Sequence, residues 1–160
     1  MKLKKLEFEN KDGQVLAARL DLPVAGKPAA YALFAHCFTC SKNIKAIAHI
    51  TRALNQEGIA VMRFDFTGLG ESEGEFADTN FSSNVEDLID AAEFLQAHYR
   101  APDILIGHSF GGAAVLQAAR RIPSSRAVVT IAAPADPRHV TQALGNATQI
   151  IQNRGEAEVS

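Results

Sequence analysis

The chain has 160 residues, 47% hydrophobic and 21% charged, which suits one globular domain able to bury a real core. A formal net charge of −2, with no basic run, excludes an electrostatic case for nucleic acid or an anionic membrane surface. No apolar stretch approaches the ~18–20 residues that span a bilayer, and MKLKKLEFEN lacks the apolar core of a signal peptide. Cys37 and Cys40 cannot form a disulfide framework of the secreted kind, so a cytoplasmic location is expected.

Taken in chain order, residues 3–9 alternate as a half-exposed strand does, and Asp12-Gly13 signals a hairpin turn into a returning strand over 14–22. Residues 31–36 (YALFAH) form a nearly continuous apolar run, as in a strand covered on both faces. Residues 43–57 place Ile44, Ile47, Ala48, Ile50, Ala53 and Leu54 on one helical face, closed by Gly58. A second buried run, 59–64, enters the Gly-rich loop DFTGLGESEGEF. A helix over 82–99, starting near Ser82 or Ser83, carries Val85, Leu88, Ile89, Ala92 and Leu95 at helical spacing. A strand at 103–106, a helix at 111–121, a strand at 126–132 and a helix at 137–152 follow. This alternation predicts an α/β domain with a mainly parallel sheet, helices on both faces and right-handed crossovers. The opening hairpin is its antiparallel edge, and there is no internal repeat or linker. The closing EAEVS starts a new alternation, which suits either a frayed terminus or a strand cut at a fragment boundary.

Gly107-His108-Ser109-Phe110-Gly111 is a G-x-S-x-G sequence between a short buried strand and a helix. That setting gives the pattern its weight. A serine on a tight strand-to-helix turn sits in strained backbone, and Gly107 and Gly111 leave room for the turn. The turn lifts the hydroxyl above the carboxyl end of the sheet, where open α/β sheets hold ligands. The new helix then offers N–H groups and a positive dipole end to a developing oxyanion. Ser109 is accordingly the candidate nucleophile. By position, the backbone N–H groups of Phe110 and of Phe38, in the loop after strand 31–36, are the candidate oxyanion donors, with Thr39 the alternative to Phe38.

Cys37 and Cys40 form a C-x-x-C preceded by His36, for which three readings compete: packing groups, a redox pair, or part of a metal site. Packing ranks first, with neither sulfur bonded to the other, and no metal site is assigned because the trio lacks a fourth ligand. The loop Asp65-Phe66-Thr67-Gly68-Leu69-Gly70-Glu71-Ser72 has the wrong glycine spacing for a nucleotide fingerprint and reads as a turn beside the site. His49 and His98 read as surface or packing residues.

On these motifs the chain resembles α/β-hydrolases of the serine esterase, lysophospholipase and aminopeptidase-like group. The elbow GHSFGG is specific to that superfamily, and DFTGLGESEG is similar to its D-x-R-G-x-G-x-S loop with Thr67 in place of Arg. HCFTCSKNIKA, RFDFTGLGESEG and NFSSNVEDL are similar to the hydrolase portion of bacterial proteins in which this module precedes an OsmC-like domain. The resemblance implies a core of eight strands, a partial α/β-hydrolase domain over 1–160 with its last strands missing, and a triad running Ser, acid, His. After Ser109 the only histidine is His139, with Asp136 three residues before it. So close a pair is a poor triad, and Asp136 with Pro137 reads better as a helix cap.

The expected function is hydrolysis of a carboxylic ester, thioester or amide through an acyl-enzyme on Ser109, with no cofactor. The partner is a small-molecule substrate, with no nucleic acid and no membrane. The alternatives are a non-catalytic hydrolase-like module attached to an OsmC-like peroxide-handling domain, or a thiol redox role for Cys37 and Cys40. An open sheet edge after strand 126–132 is expected to favour association, including homo-oligomers.

Overall fold

A computed structural model describes residues 2–24, 26–37 and 40–135. These form one sheet in the order β1-β2-β4-β3-β5-β6, where β1 is Lys2–Glu9, β2 Val15–Leu22, β3 Ala30–Ala35, β4 Ile59–Phe64, β5 Ile104–His108 and β6 Ala127–Ile131. β1 pairs antiparallel with β2, and β2 antiparallel with β4, while β3, β4, β5 and β6 run parallel. The mainly parallel sheet with an antiparallel hairpin at one edge is therefore present as the alternation predicts.

Helices cover both faces because the central strands carry apolar residues toward each side, with Arg63 of β4 buried in an ion pair to Asp21. Ala32 and Phe34 of β3, Val61 of β4 and Ile106 of β5 pack with Ile47 of α1 (Lys45–Gln56). The intervening residues Leu33, Met62, Phe64 and Leu105 point the other way, into a core with α2 (Phe81–His98) and α3 (Phe110–Ala118). Successive side chains of a strand point to opposite faces, so two cores grow from one set of strands.

Two local expectations shift. α1 buries Ile47, Thr51 and Asn55 while Ala53 is exposed, so its inward face is partly polar: the Asn55 amide donates to the carbonyls of Asp21 (3.2 Å) and Ile59 (2.7 Å). α2 starts before Ser82, because Asn80 caps it. The Asn80 side chain accepts from the N–H groups of Ser82 and Ser83, and Ser83 Oγ accepts from Asn80 N–H at 2.9 Å, a reciprocal capping box.

α3 tightens into a 3₁₀ turn over Ala119–Arg121. Among the described residues β6 pairs only with β5, and Val128 and Val129 are 37% and 45% exposed. The helix expected over 137–152 lies outside the described residues.

Candidate active site

The centre of the site is the junction of β5 and α3. Ser109 has φ 53 and ψ −119, one of two non-glycine residues with positive φ among those described. Such a conformation costs on the order of 1–3 kcal/mol and persists only where the surroundings impose it. Here they do. Ser109 N–H donates to the Ile131 carbonyl at the end of β6 (2.8 Å), and the Ser109 carbonyl accepts from Gly112 N–H (2.9 Å), which opens the helix.

The elbow glycines are required by close approach. A Cβ on Gly111 would run into the carbonyl oxygens of Ala35 and His36 where β3 ends, and one on Gly107 into the carbonyl of Gly111. Ser109 is half-buried at the carboxyl edge of the parallel strands. Phe110 follows as the first residue of α3, at its positive end. Its ring packs edge-on against Phe81 (5.2 Å between centroids).

β3 delivers its neighbour, the loop from His36. The His36 imidazole is 1% exposed, with Nδ1 2.7 Å from the Cys37 carbonyl and Nε2 3.4 Å from Phe66 N. Nε2 must accept there, so Nδ1 carries the proton. Burial holds this imidazole below its ordinary value, with Lys42 adding to the effect and the Cys37 carbonyl and Asp65 opposing it.

Cys37 and Cys40 depart from the packing expectation: they form a disulfide. A turn in which Cys40 N–H donates to the Cys37 carbonyl (3.2 Å) sets their Cα atoms 5.2 Å apart, within the range a disulfide spans. Phe38 and Thr39 lie outside the described residues, as do Asp136 and His139.

Two buried polar networks brace these loops, and sequence reading missed both. In the first, Asp21 of β2 accepts from Arg63 Nη2 (2.6 Å) and Nε (3.2 Å), while Arg63 Nη1 donates to the Lys42 carbonyl (2.7 Å). Lys42 is 5% exposed, and its Nζ donates to Asp65 Oδ2 (2.5 Å) and Glu71 Oε2 (2.8 Å). Asp65 also accepts from the N–H groups of Lys42 (2.5 Å) and Glu71 (3.0 Å). The Lys42 ammonium holds the Glu71 carboxyl below its ordinary value.

In the second network Asp87 of α2 accepts from Thr67 N–H (2.9 Å), Thr67 Oγ1 (3.0 Å) and Asn10 Nδ2 (3.0 Å). Burial raises the Asp87 carboxyl despite these donors. Thr67, at the position of the family's Arg, thus anchors the loop after β4 to α2. The position of Asp65 and Thr67 in the D-x-T-G-x-G-x-S loop was a signal for these networks, whereas nothing in the sequence marked Lys42. His49 and His98 are both exposed.

The geometry fits what the chain is similar to. The family model described as serine aminopeptidase, S33 (Hydrolase_4), matches residues 26–154. Monoglyceride lipase of Rattus norvegicus is 32% identical over 117 residues, covering 72% of this chain and 38% of the lipase. The esterase domain of a Rhodothermus marinus protein is 58% identical with TM-score 0.74, over 88% of this chain and 54% of that domain. Est1E of Butyrivibrio proteoclasticus, solved with ferulic acid bound, is 26% identical with TM-score 0.77, over 88% of this chain and 58% of Est1E. The chain thus spans under two-fifths of the curated lipase and somewhat over half of these solved structures.

Proposed function

Since the chain belongs to the serine aminopeptidase S33 family of α/β-hydrolases, we propose that it carries the nucleophile of a hydrolase that cleaves carboxylic esters, thioesters or amides through an acyl-enzyme on Ser109. The observation that carries this reading is the strained backbone of Ser109 at the turn between β5 and α3. Ser109 Oγ attacks the acyl carbon and its proton passes to a histidine base. The N–H groups of Phe110 and Phe38 hold the tetrahedral oxyanion, and the leaving group departs with the proton. Water then releases the acid from Ser109.

The acid and histidine of the triad come from the part of the hydrolase fold that this chain does not span. The substrate is a small acyl compound, and the named relatives make a monoacylglycerol and a feruloyl ester the first two to assay. The parent protein is cytoplasmic and carries an OsmC-like domain.

A fluorophosphonate probe tests the reading on the full-length protein. Labelling confined to the peptide containing Ser109, and lost in Ser109→Ala, is the expected result. If the folded protein takes no label, the non-catalytic module is the correct reading.

A further inference from the structure

We propose that β1 is a self-pairing edge: two copies of the chain join through it as antiparallel strands, with Lys5 of each copy opposite Glu7 of the other.

β1 stands at one end of the sheet and is bonded to β2 alone among the described residues. Its outer side therefore offers backbone N–H and C=O groups that a further strand can bond. Lys2, Leu3, Lys5, Glu7 and Glu9 are all exposed there.

The charges choose the occupant. Lys2, Lys4 and Lys5 fill the first half of the strand, and Glu7 and Glu9 the second. Lysines that guard an edge against pairing would run its whole length, whereas here the sign reverses across Leu6. A strand positive at one end and negative at the other repels a parallel copy in register and matches an antiparallel one. Lys5 and Glu7 are also uncommitted: among the described residues neither forms an ion pair or side-chain hydrogen bond within its own chain.

Geometry then fixes the register. Residues directly opposite in antiparallel strands share a face of the sheet, and successive residues alternate faces. A two-fold axis that continues the sheet stands perpendicular to it, so the axis must pass where a residue faces its own copy. At Lys4 or Lys5 it would oppose two ammonium groups, and at Glu7 two carboxylates. At Leu3 it would set Lys2 against Lys4, and at Phe8 Glu7 against Glu9. At Leu6 every charge falls well. Lys5 lies opposite Glu7 on both sides of the axis, and Lys4 opposite Phe8. Leu6, already packed against the main core, meets its copy and continues that core across the axis. The carboxyl edges of the two sheets then point in opposite directions, and pairing through β1 leaves Ser109 of each copy uncovered.

Residues 3–9 of the two copies overlap, a small interface, so association is micromolar rather than nanomolar. Sedimentation velocity on the full-length protein, over about 1–200 μM, reads it. Lys5→Glu and Glu7→Lys should each weaken the dimer by about tenfold or more, because each sets like charges opposite one another on both sides of the axis. Mixing the two variants should restore it, since every facing pair is then of opposite sign. Both side chains are exposed, so the variants should keep the wild-type unfolding midpoint. Carbodiimide, which joins an ammonium to a carboxylate in contact, reads the register directly. An equal mixture of unlabelled and heavy-isotope protein should give a Lys5–Glu7 cross-link with one half from each.

A protein that stays monomeric throughout the concentration range, or yields no mixed-isotope Lys5–Glu7 cross-link, overturns the proposal. A dimer of equal strength in wild type and both variants overturns it as well, by placing the contact on another surface such as the edge at β6.

Discussion

Replacing Asp65 by Asn strikes the point where the loops around the site converge. The carboxylate is fully buried and accepts from Lys42 Nζ and Lys42 N–H, both at 2.5 Å, and from Glu71 N–H at 3.0 Å. Asparagine supplies one acceptor oxygen, and its NH₂ group faces donors. The Lys42 ammonium then keeps only Glu71, whose side chain is 64% exposed, and solvent screens most of what so exposed a partner can offer. Breaking a buried ion pair by removing one charge costs about 3–5 kcal/mol, against a total folding stability on the order of 5–15 kcal/mol. At ~2–4 °C per kcal/mol for a chain of this size, the midpoint of thermal unfolding should fall by ~6–20 °C.

Urea denaturation of wild type, Asp65→Asn, Lys42→Met and the double variant measures this directly. The double variant should lose less than the sum of the singles, because the second change removes a charge already stripped of its partner. An Asp65→Asn protein within about 1 kcal/mol of wild type, or strictly additive losses, would refute the assignment of Asp65 as the anchor.

Strain at Ser109 predicts that Ser109→Gly folds more stably than Ser109→Ala, by about 1 kcal/mol in the same denaturation assay. Alanine keeps a Cβ at φ 53, and relief of that strain outweighs the ~0.5–1 kcal/mol entropy cost of glycine; the opposite order would show the elbow to be unstrained. His36 predicts a pH dependence. Burial depresses its imidazole from 6.5, so as pH falls below that value the unfolded chain takes up a proton that the folded one does not. Stability attributable to His36 is therefore complete above about 6.5 and is lost as pH drops toward the depressed folded value. His36→Gln should flatten the stability curve between about pH 7 and 5, and an unchanged slope would show that His36 is not the titrating group.

The layering of the fold was legible because it depends on short-range patterns. The nearly continuous apolar run of β3 and the mainly apolar run of β4 announced strands covered on both faces, and the Gly-x-Ser-x-Gly turn placed Ser109 where β5 meets α3. What stayed hidden depends on distant residues meeting. Asp21 and Arg63 lie 42 positions apart and Asn10 and Asp87 lie 77 apart, and each reads alone as an ordinary surface residue until the sheet brings them together. α1 misled for the same reason: Asn55 faces inward because the carbonyls of Asp21, at the end of β2, and Ile59, at the start of β4, accept from its amide. The cysteine pairing was visible as a spacing, but its weighing depended on a turn between the two residues that spacing does not reveal.

The elbow and the open edge of the sheet are linked. Ser109 N–H is held by Ile131, the last residue of β6, and Gly112 sits under Ala133 just beyond it, where a Cβ would come within 2.6 Å of Ala133 Cβ. β6 is bonded to β5 alone among the described residues, and four of its five positions are exposed. The strained turn thus leans on a strand that is an edge of the sheet among the described residues. A strand or partner that pairs with the outer edge of β6 contributes to the site without touching it: it fixes the Ile131 carbonyl, which fixes the Ser109 N–H, which holds the hydroxyl above the sheet. The apolar layers on the two faces would hold any such sheet together, but the reactive geometry at Ser109 depends on that chain of directional bonds along its carboxyl edge.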